Sequence, residues 1–324
     1  GFFSNLLGGT KTESVALIDI SGDSVAGAYA HYRKGEPPVL LYALRLPIES
    51  RAHEPHLRAM LRALAALGDA LIREGAPILA RAVGNGSVNT VLVSVDAPWR
   101  KTSIRTEHIE QKTPFLFSRG LVAAALEKTS ITPPGELLAD ESIIGTILNG
   151  YETQDPYGKR VNRASIVILT SLIDERAASG IQAIIRGLYH TKNIALIAGS
   201  SVRYQALRIV FPHEREALIL DATGHEVSIA LVRGDLLIEL IEVKGHTTRA
   251  AAWLKKIINE LEDLAGRFPL PRTVFLLANE EETPSLKEEC TAANIGKLWP
   301  SGNPPKIIAV SGSHIIGPVR QAMT

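Results

Sequence analysis

The sequence predicts an α/β protein of two related halves, and three observations carry that prediction. Aliphatic and β-branched runs of strand length alternate with longer stretches at helical spacing. The pattern D-x-[ST]-G-x-x-V occurs twice, from Asp19 to Val25 and from Asp221 to Val227, each time at the tip of an expected hairpin. The chain has 324 residues, enough for two lobes at about 100 to 200 residues per domain.

In chain order, residues 15–20 form an aliphatic run, Ser21-Gly22-Asp23 turn it, and residues 24–31 return, the pattern of a strand, a tight turn and a second strand. Residues 39–46 read as a third strand. Over 55–72, Leu57, Met60, Leu61, Leu64, Leu67 and Leu71 recur at i, i+3 or i+4, which gives a helix with one apolar stripe. Gly84-Asn85-Gly86 break the pattern before a strand at 89–95, which Asp96-Ala97-Pro98 end. Residues 116–128 read as a helix, Thr132-Pro133-Pro134-Gly135 as a loop, and 141–148 lead into the turn-rich stretch Asn149-Gly150-Tyr151 and Asp155-Pro156-Tyr157-Gly158. A buried-type strand at 164–172, a helix at 175–190, a strand at 194–197 and a helix near 202–210 follow.

The second half repeats the opening. Residues 216–221 read as a strand, Ala222-Thr223-Gly224-His225 as a turn and 226–232 as the return, which Gly234-Asp235 turn into another strand at 236–243. Residues 248–264 are amphipathic, with Trp253, Ile257, Leu261 and Leu264 on one stripe. Strands are expected at 273–278 and 307–310, the latter stopped by Ser311-Gly312-Ser313, whereas 280–305 is polar and punctuated by Pro and Gly.

Composition narrows the function. Lys plus Arg number 35 against 34 Asp plus Glu, a net charge of +1, so there is no overall electrostatic footprint for nucleic acid or an anionic membrane. Cys290 is the single cysteine, which excludes an intrachain disulfide and a Cys-based zinc cluster and favours a reducing compartment. No apolar run approaches the roughly 18 to 20 residues of a membrane span, and residues 1–10 lack the basic start of a signal peptide. His53, His56 and His108 come without HExxH or a carboxylate cluster and read as surface residues. No GxSxG elbow is present, and Ser311-Gly312-Ser313-His314 lacks its context. Trp99-Arg100-Lys101 reads either as a protein contact or as a Trp packed under a loop with its basic neighbours in solvent. Lys255 and Lys256 read as a solvated helix face.

The repeated turn suits phosphate. Its Gly lets the backbone turn tightly and an anion approach, successive amides form a nest, and the Ser or Thr hydroxyl adds a donor. An Asp at the end of the preceding strand could hold a hydrated magnesium ion, Mg2+, which takes carboxylate, water and phosphate oxygens. The same residue types are also the ordinary material of hairpin turns.

The order of these parts resembles the actin-like ATPase superfamily of actin, sugar kinases and heat-shock chaperones. The hairpin with Asp19, a long inserted region, the hairpin with Asp221 and a terminal strand before Gly312 are similar to its phosphate 1, phosphate 2 and adenosine segments. The middle of the chain resembles the FtsA/PilM branch of cell division and type IV pilus assembly. The likeness lies in Asn149 to Gly158 before the strand at Ala164, in Tyr189-His190 before Ile194-Ala195-Leu196, and in Val243 to Arg249 after the second hairpin. It spans about residues 12–318.

The resemblance implies an actin-like, ribonuclease H-like α/β fold, with residues 11–101 and 191–215 as the first lobe, 102–190 as an inserted small α/β subdomain, and 216–324 as the second lobe. It implies ATP and Mg2+ between the lobes. Asp19 and Asp221 would face the metal, and Ser21, Gly22, Asp23, Ser24, Thr223, Gly224 and His225 would grip phosphates, with Gly312 and Ser313 at the adenosine end. Three departures weaken an active enzyme. Ser21 and Gly22 stand in reversed order, Gly224 is a single glycine followed by His225 and Glu226, and Ser313 replaces the second glycine of a pair. From 193 to 212 there is no Asp or Glu, so Gln205 is the sole candidate to orient an attacking water.

The expected function is therefore a cytoplasmic scaffold, ATP-binding or degenerate and at most a slow ATPase. It would dock the cytoplasmic segment of a membrane protein in pilus assembly or cell division, and self-associate into filaments or rings. The absence of an amphipathic helix at the end of the sequence implies that such a partner holds it at the inner face of the plasma membrane. The alternatives are an active ATPase or sugar-kinase-like phosphotransferase, and a degenerate module without nucleotide.

Overall fold

A computed structural model describes residues 12–33, 38–129, 132–153, 155–223, 226–234, 236–244, 250–278, 282–292, 295–299 and 302–310. The chain opens with a meander of β1 (Thr12–Ile20), β2 (Ser24–Arg33) and β3 (Val39–Pro47), antiparallel with Ile20 opposite Val25 at the first turn. Helix α1 (His56–Ala70) buries Met60, Leu64 and Leu67 against Ile18 and Tyr29, as the apolar stripe requires. The helix does not stop at the expected residue 72. One wide π turn at Leu71–Gly75 carries it into α2 (Ala76–Val83), and Gly84 closes α2 at φ 81°. The wide turn admits Pro77, which has no N–H to give to an ordinary helical ladder. Strand β4 (Thr90–Val95) lies parallel to β1 and is buried along nearly its whole length, the mark of an internal parallel strand.

The chain then leaves this sheet. Strand β5 (Arg100–Leu116), helix α3 (Arg119–Thr129), β6 (Glu136–Leu148), β7 (Tyr151–Glu152) and β8 (Arg160–Asp174) make a separate four-stranded antiparallel sheet in the order β5-β8-β6-β7. Phe115, Phe117, Val122, Leu148, Ile166 and Ile168 fill its small core. Helix α4 (Glu175–Tyr189) starts where Asp174 accepts the Ala177 amide at 2.9 Å and ends at His190 in the left-handed conformation. Its Ala177, Ala178, Ile181 and Ile185 lie in the core beneath the first sheet. Strand β9 (Asn193–Ala198), parallel to β4, completes that sheet as β3-β2-β1-β4-β9, and α5 (Gly199–Val210) leads out of it.

The second lobe repeats the plan. Strands β10 (Ala217–Asp221), β11 (Glu226–Arg233) and β12 (Leu236–Lys244) form a meander. They are followed by α6 (Ala250–Arg267), β13 (Thr273–Leu277), α7 (Thr283–Ala292), a short 3-10 turn at Ile295–Leu298 and β14 (Lys306–Val310). The sheet order β12-β11-β10-β13-β14 is that of the first sheet, element for element, with β13 and β14 parallel to β10. Ile257, Leu261 and Leu264 of α6 cover Leu218, Leu220 and Leu276. Two related α/β halves, expected from a seven-residue repeat, are thus two copies of one five-stranded topology.

Candidate functional site

The repeat sets the place of the site. β1 and β10 are the central strands of their sheets, and each delivers its aspartate at its C-terminal end, Asp19 beside Ser94 of β4 and Asp221 beside Leu277 of β13.

The first turn is closed by its own side chains. Ser21, 2% exposed, bonds through its hydroxyl to Asp23 Oδ1 at 2.7 Å and to the Ser24 carbonyl at 3.0 Å, and accepts the Ser24 amide at 3.2 Å. His56 Nε2 lies 2.7 Å from the Gly22 carbonyl, and its ring stacks on Trp99, centroids 5.0 Å apart. The indole of Trp99 lies under the loop, its Nε1 donating to the Ser21 carbonyl at 3.4 Å. His56 is exposed, as expected, and from the surface it also supports the turn. Arg45 reaches from β3 to donate to Ser24 Oγ at 2.8 Å and stands 3.9 Å from Asp19 Oδ2. In the second turn Asp221 Oδ1 accepts the Thr223 amide at 3.1 Å and the Thr223 hydroxyl at 2.6 Å. Gly224 and His225, and likewise Gly312 and Ser313, lie outside the described residues.

Asp221 is joined not to Asp19 but to Asp96, through a side chain that no motif marks. Arg203, on the first turns of α5, donates from Nε to Asp221 Oδ2 and from its two terminal nitrogens to Asp96, at 2.9 and 2.8 Å, a fork on a carboxylate. Asp96 follows β4, and its amide is fixed by the Ile20 carbonyl at 2.8 Å. Arg100, expected in solvent, is 5% exposed: it lies 3.4 Å from Asp96 Oδ1 and bonds Glu242 of β12. Asp19 itself accepts from Ser94 Oγ. Four carboxylates, Asp19, Asp96, Asp221 and Glu242, therefore meet three guanidiniums, Arg45, Arg100 and Arg203, where the two lobes and the start of β5 converge.

Electrostatics follow from this packing. Burial alone would raise Asp96, but the guanidiniums of Arg203 and Arg100 outweigh it and hold its carboxyl below the usual range. Burial works against the charge on Arg203 too, and Asp221 and Asp96 reverse it, keeping the guanidinium firmly protonated. Asp19 is raised, first by burial and then by the Asp96 carboxylate, against the pull of Ser94, Arg203 and Arg45. It is ringed by protein yet open to water along the cleft, with its side chain 40% exposed. Glu242 is raised by burial against the attraction of Arg100. Beside Arg203, a cavity of about 20 Å3 lined by Thr102, Ser200, Ser201, Asp221 and Ser228 has room for about one water molecule.

A magnesium ion held between Asp19 and Asp221 does not fit these side chains. Both oxygens of Asp221 already accept bonds, from Thr223 and from Arg203, and Asp96 is gripped on both of its oxygens by Arg203. Among the described residues there is no group of three or more His, Cys, Asp or Glu placed to hold a metal. Nor does the head of α5 supply a group to orient water. Ser201 donates to Asp140 at 2.5 Å, Ser200 lies 3.2 Å from Thr102, and the Gln205 amide donates back to Ser201 at 3.2 Å.

Two sheets of one topology, with a small antiparallel sheet inserted after the fourth strand, define an actin-like ATPase fold. No family model matches the chain, and no curated protein does. Solved structures do match it. The PilM-PilN type IV pilus biogenesis complex contains a chain that shares the fold at a TM-score of 0.56 and 14% identity, over 95% of this chain and 97% of that one. A Bacteroides thetaiotaomicron protein with actin-like ATPase fold and unknown function matches over 92% and 91% of the two chains at 10% identity and a TM-score of 0.46. The ethanolamine utilization protein EutJ from Carboxydothermus hydrogenoformans matches over 97% and 90% at 9% identity and a TM-score of 0.43. Among the described residues no helix is long and apolar enough to cross a membrane.

Proposed function

We propose that the chain is an actin-fold scaffold that does not turn over nucleotide, and that it docks a cytoplasmic segment of a membrane protein, as a pilus-assembly or cell-division component held at the inner face of the plasma membrane by that partner. The observation that carries the first half is the engagement of the cleft with itself. Arg203 stands between Asp96 and Asp221, the polar groups of the first turn are bonded among themselves, and Gln205 is tied to Ser201. In-line attack on a γ-phosphate needs a positioned water and free charge to stabilise the transferred group. Among the described residues of the cleft, the guanidiniums that could do so, Arg45, Arg100 and Arg203, are already paired. The second half is supported by fold alone, through the full-length likeness to a chain solved in a PilM-PilN complex.

The test has two arms. Phosphate release from ATP with magnesium is expected to stay at the buffer rate, and turnover in the range of phosphotransferases, about 1 to 100 per second, would refute the non-catalytic reading. Titration with synthetic cytoplasmic tails of pilus-assembly membrane proteins from the same organism is expected to give saturable binding to one of them. Failure of every tail would refute the docking reading and leave the first arm standing.

A further inference from the structure

We propose that Arg203 is the resident cation of the cleft: its guanidinium takes the place between the carboxylates of the two lobes that a divalent metal would otherwise fill, and fastens the lobes together without metal or nucleotide.

Four observations converge on it. The guanidinium contacts Asp96 from the first lobe and Asp221 from the second with all three of its nitrogens, so one planar cation spans the boundary between the repeated sheets. The side chain is 15% exposed and its two partners 4% and 6%, which removes the solvent screening that makes surface pairs weak. The backbone is cut to fit the pair. A Cβ on Gly199, the first residue of α5, would stand 2.7 Å from both oxygens of Asp96 and 2.8 Å from a terminal nitrogen of Arg203, so only glycine lets the helix start over this ion pair. Finally, a second guanidinium extends the tie: Arg100 joins the same Asp96 to Glu242 on β12, so the first lobe is linked to the second at two points.

The physical logic is charge balance. Without a cation, Asp19, Asp96 and Asp221 would crowd one cleft with three negative charges, and the Asp19 carboxyl is already raised, by burial first and by the Asp96 carboxylate second. A metal would answer it by coordination and would come and go with its ligand. An arginine on α5 answers it permanently and bidentately. The inference does not depend on any docked partner, and the loss of peptide binding would leave it intact.

The experiment is thermal unfolding of the full chain and of Arg203→Gln, each in EDTA, in millimolar magnesium, and in magnesium with ATP. The wild-type midpoint is expected to be the same in all three. Arg203→Gln is expected to melt several degrees lower in EDTA and to recover part of the loss in magnesium, because the substitution frees Asp96 and Asp221 to ligate the ion. A wild-type midpoint that rises with magnesium, an unchanged midpoint for Arg203→Gln, or a loss that magnesium does not touch would each overturn the proposal. Where Arg203→Gln fails to fold, manganese titration of the wild-type chain decides. Absence of binding supports the resident cation, and binding that Asp221→Asn abolishes overturns it.

Discussion

Gly199→Ala separates the ion pair from ordinary helix energetics. In a solvent-exposed helix, Gly to Ala stabilises by up to about 1 kcal/mol, because alanine gives up less backbone entropy on folding. At Gly199 the added methyl would sit 2.7 Å from Asp96 Oδ1 and Oδ2 and 2.8 Å from the guanidinium. Asp96 cannot swing away cheaply, since both oxygens are held by Arg203 and one also faces Arg100 at 3.4 Å. Breaking a buried pair costs about 3 to 5 kcal/mol, so the expected net is a loss of about 2 to 4 kcal/mol, a large share of the roughly 5 to 15 kcal/mol that holds a typical fold. Urea unfolding measures it, with Gly187→Ala on the exposed face of α4 as the control, where a Cβ meets nothing within 4 Å. Gly187→Ala should gain a few tenths to about 1 kcal/mol. A Gly199→Ala chain as stable as the control would show that the Asp96–Arg203 pair is not a fixed part of the fold.

Three further outcomes follow from the charges. Asp19→Asn should raise the melting temperature at neutral pH, because burial first and the Asp96 carboxylate second raise the folded Asp19 pKa and so penalise its charged form; the gain should fade as the pH falls well below about 3.9, the ordinary Asp value, where the carboxyl is protonated before and after unfolding. A lower melting temperature at neutral pH would contradict it. Glu54, held down to about 2 by hydrogen bonds from Arg62 first and the Arg51 amide second, should stay ionised in an NMR titration to about pH 2 and return toward about 4.3 in Arg62→Ala. An Arg62→Ala chain with Glu54 unmoved would deny the pair its role. Cys290, whose thiol is pushed up to about 11 by burial and then by Glu289, should resist a disulfide reagent at pH 8 until urea unfolds the chain. Reaction of the native chain at the rate of a free thiol would refute that burial.

The parts of the fold that were legible in sequence are those with local causes. Both hairpins are visible because aliphatic runs end at Ser21-Gly22-Asp23 and at Ala222-Thr223-Gly224, and α1, α4 and α6 are visible because their apolar residues recur at helical spacing. Strand β5 is hard to read in sequence because it is an edge strand buried only at Arg100 and Phe115: Arg105, Glu107, Glu110 and Lys112 give it the polarity of a loop. Helix α2 buries little beyond Leu79 and carries Pro77, so periodicity has almost nothing to report there. Helix α7 lies in a polar stretch where the hydrophobic signal is equally thin.

The site divides in the same way. Asp19 and Asp221 could be found because a repeated turn marks them, whereas Asp96 was legible only as the end of a strand. Arg100 looked like a solvated neighbour of Trp99, and Arg203 like any polar residue on a helix. Their chemistry arises when β4, β5, α5, β10 and β12 converge, and no spacing within a single segment encodes that convergence.

The most direct measurement is a crystal structure of the wild-type chain grown in millimolar magnesium with a non-hydrolysable ATP analogue. The Arg203 guanidinium is expected between Asp96 and Asp221, with no metal at either aspartate of the repeated turns. A magnesium ion bridging Asp19 and Asp221, with Arg203 turned away from both lobes, would contradict it.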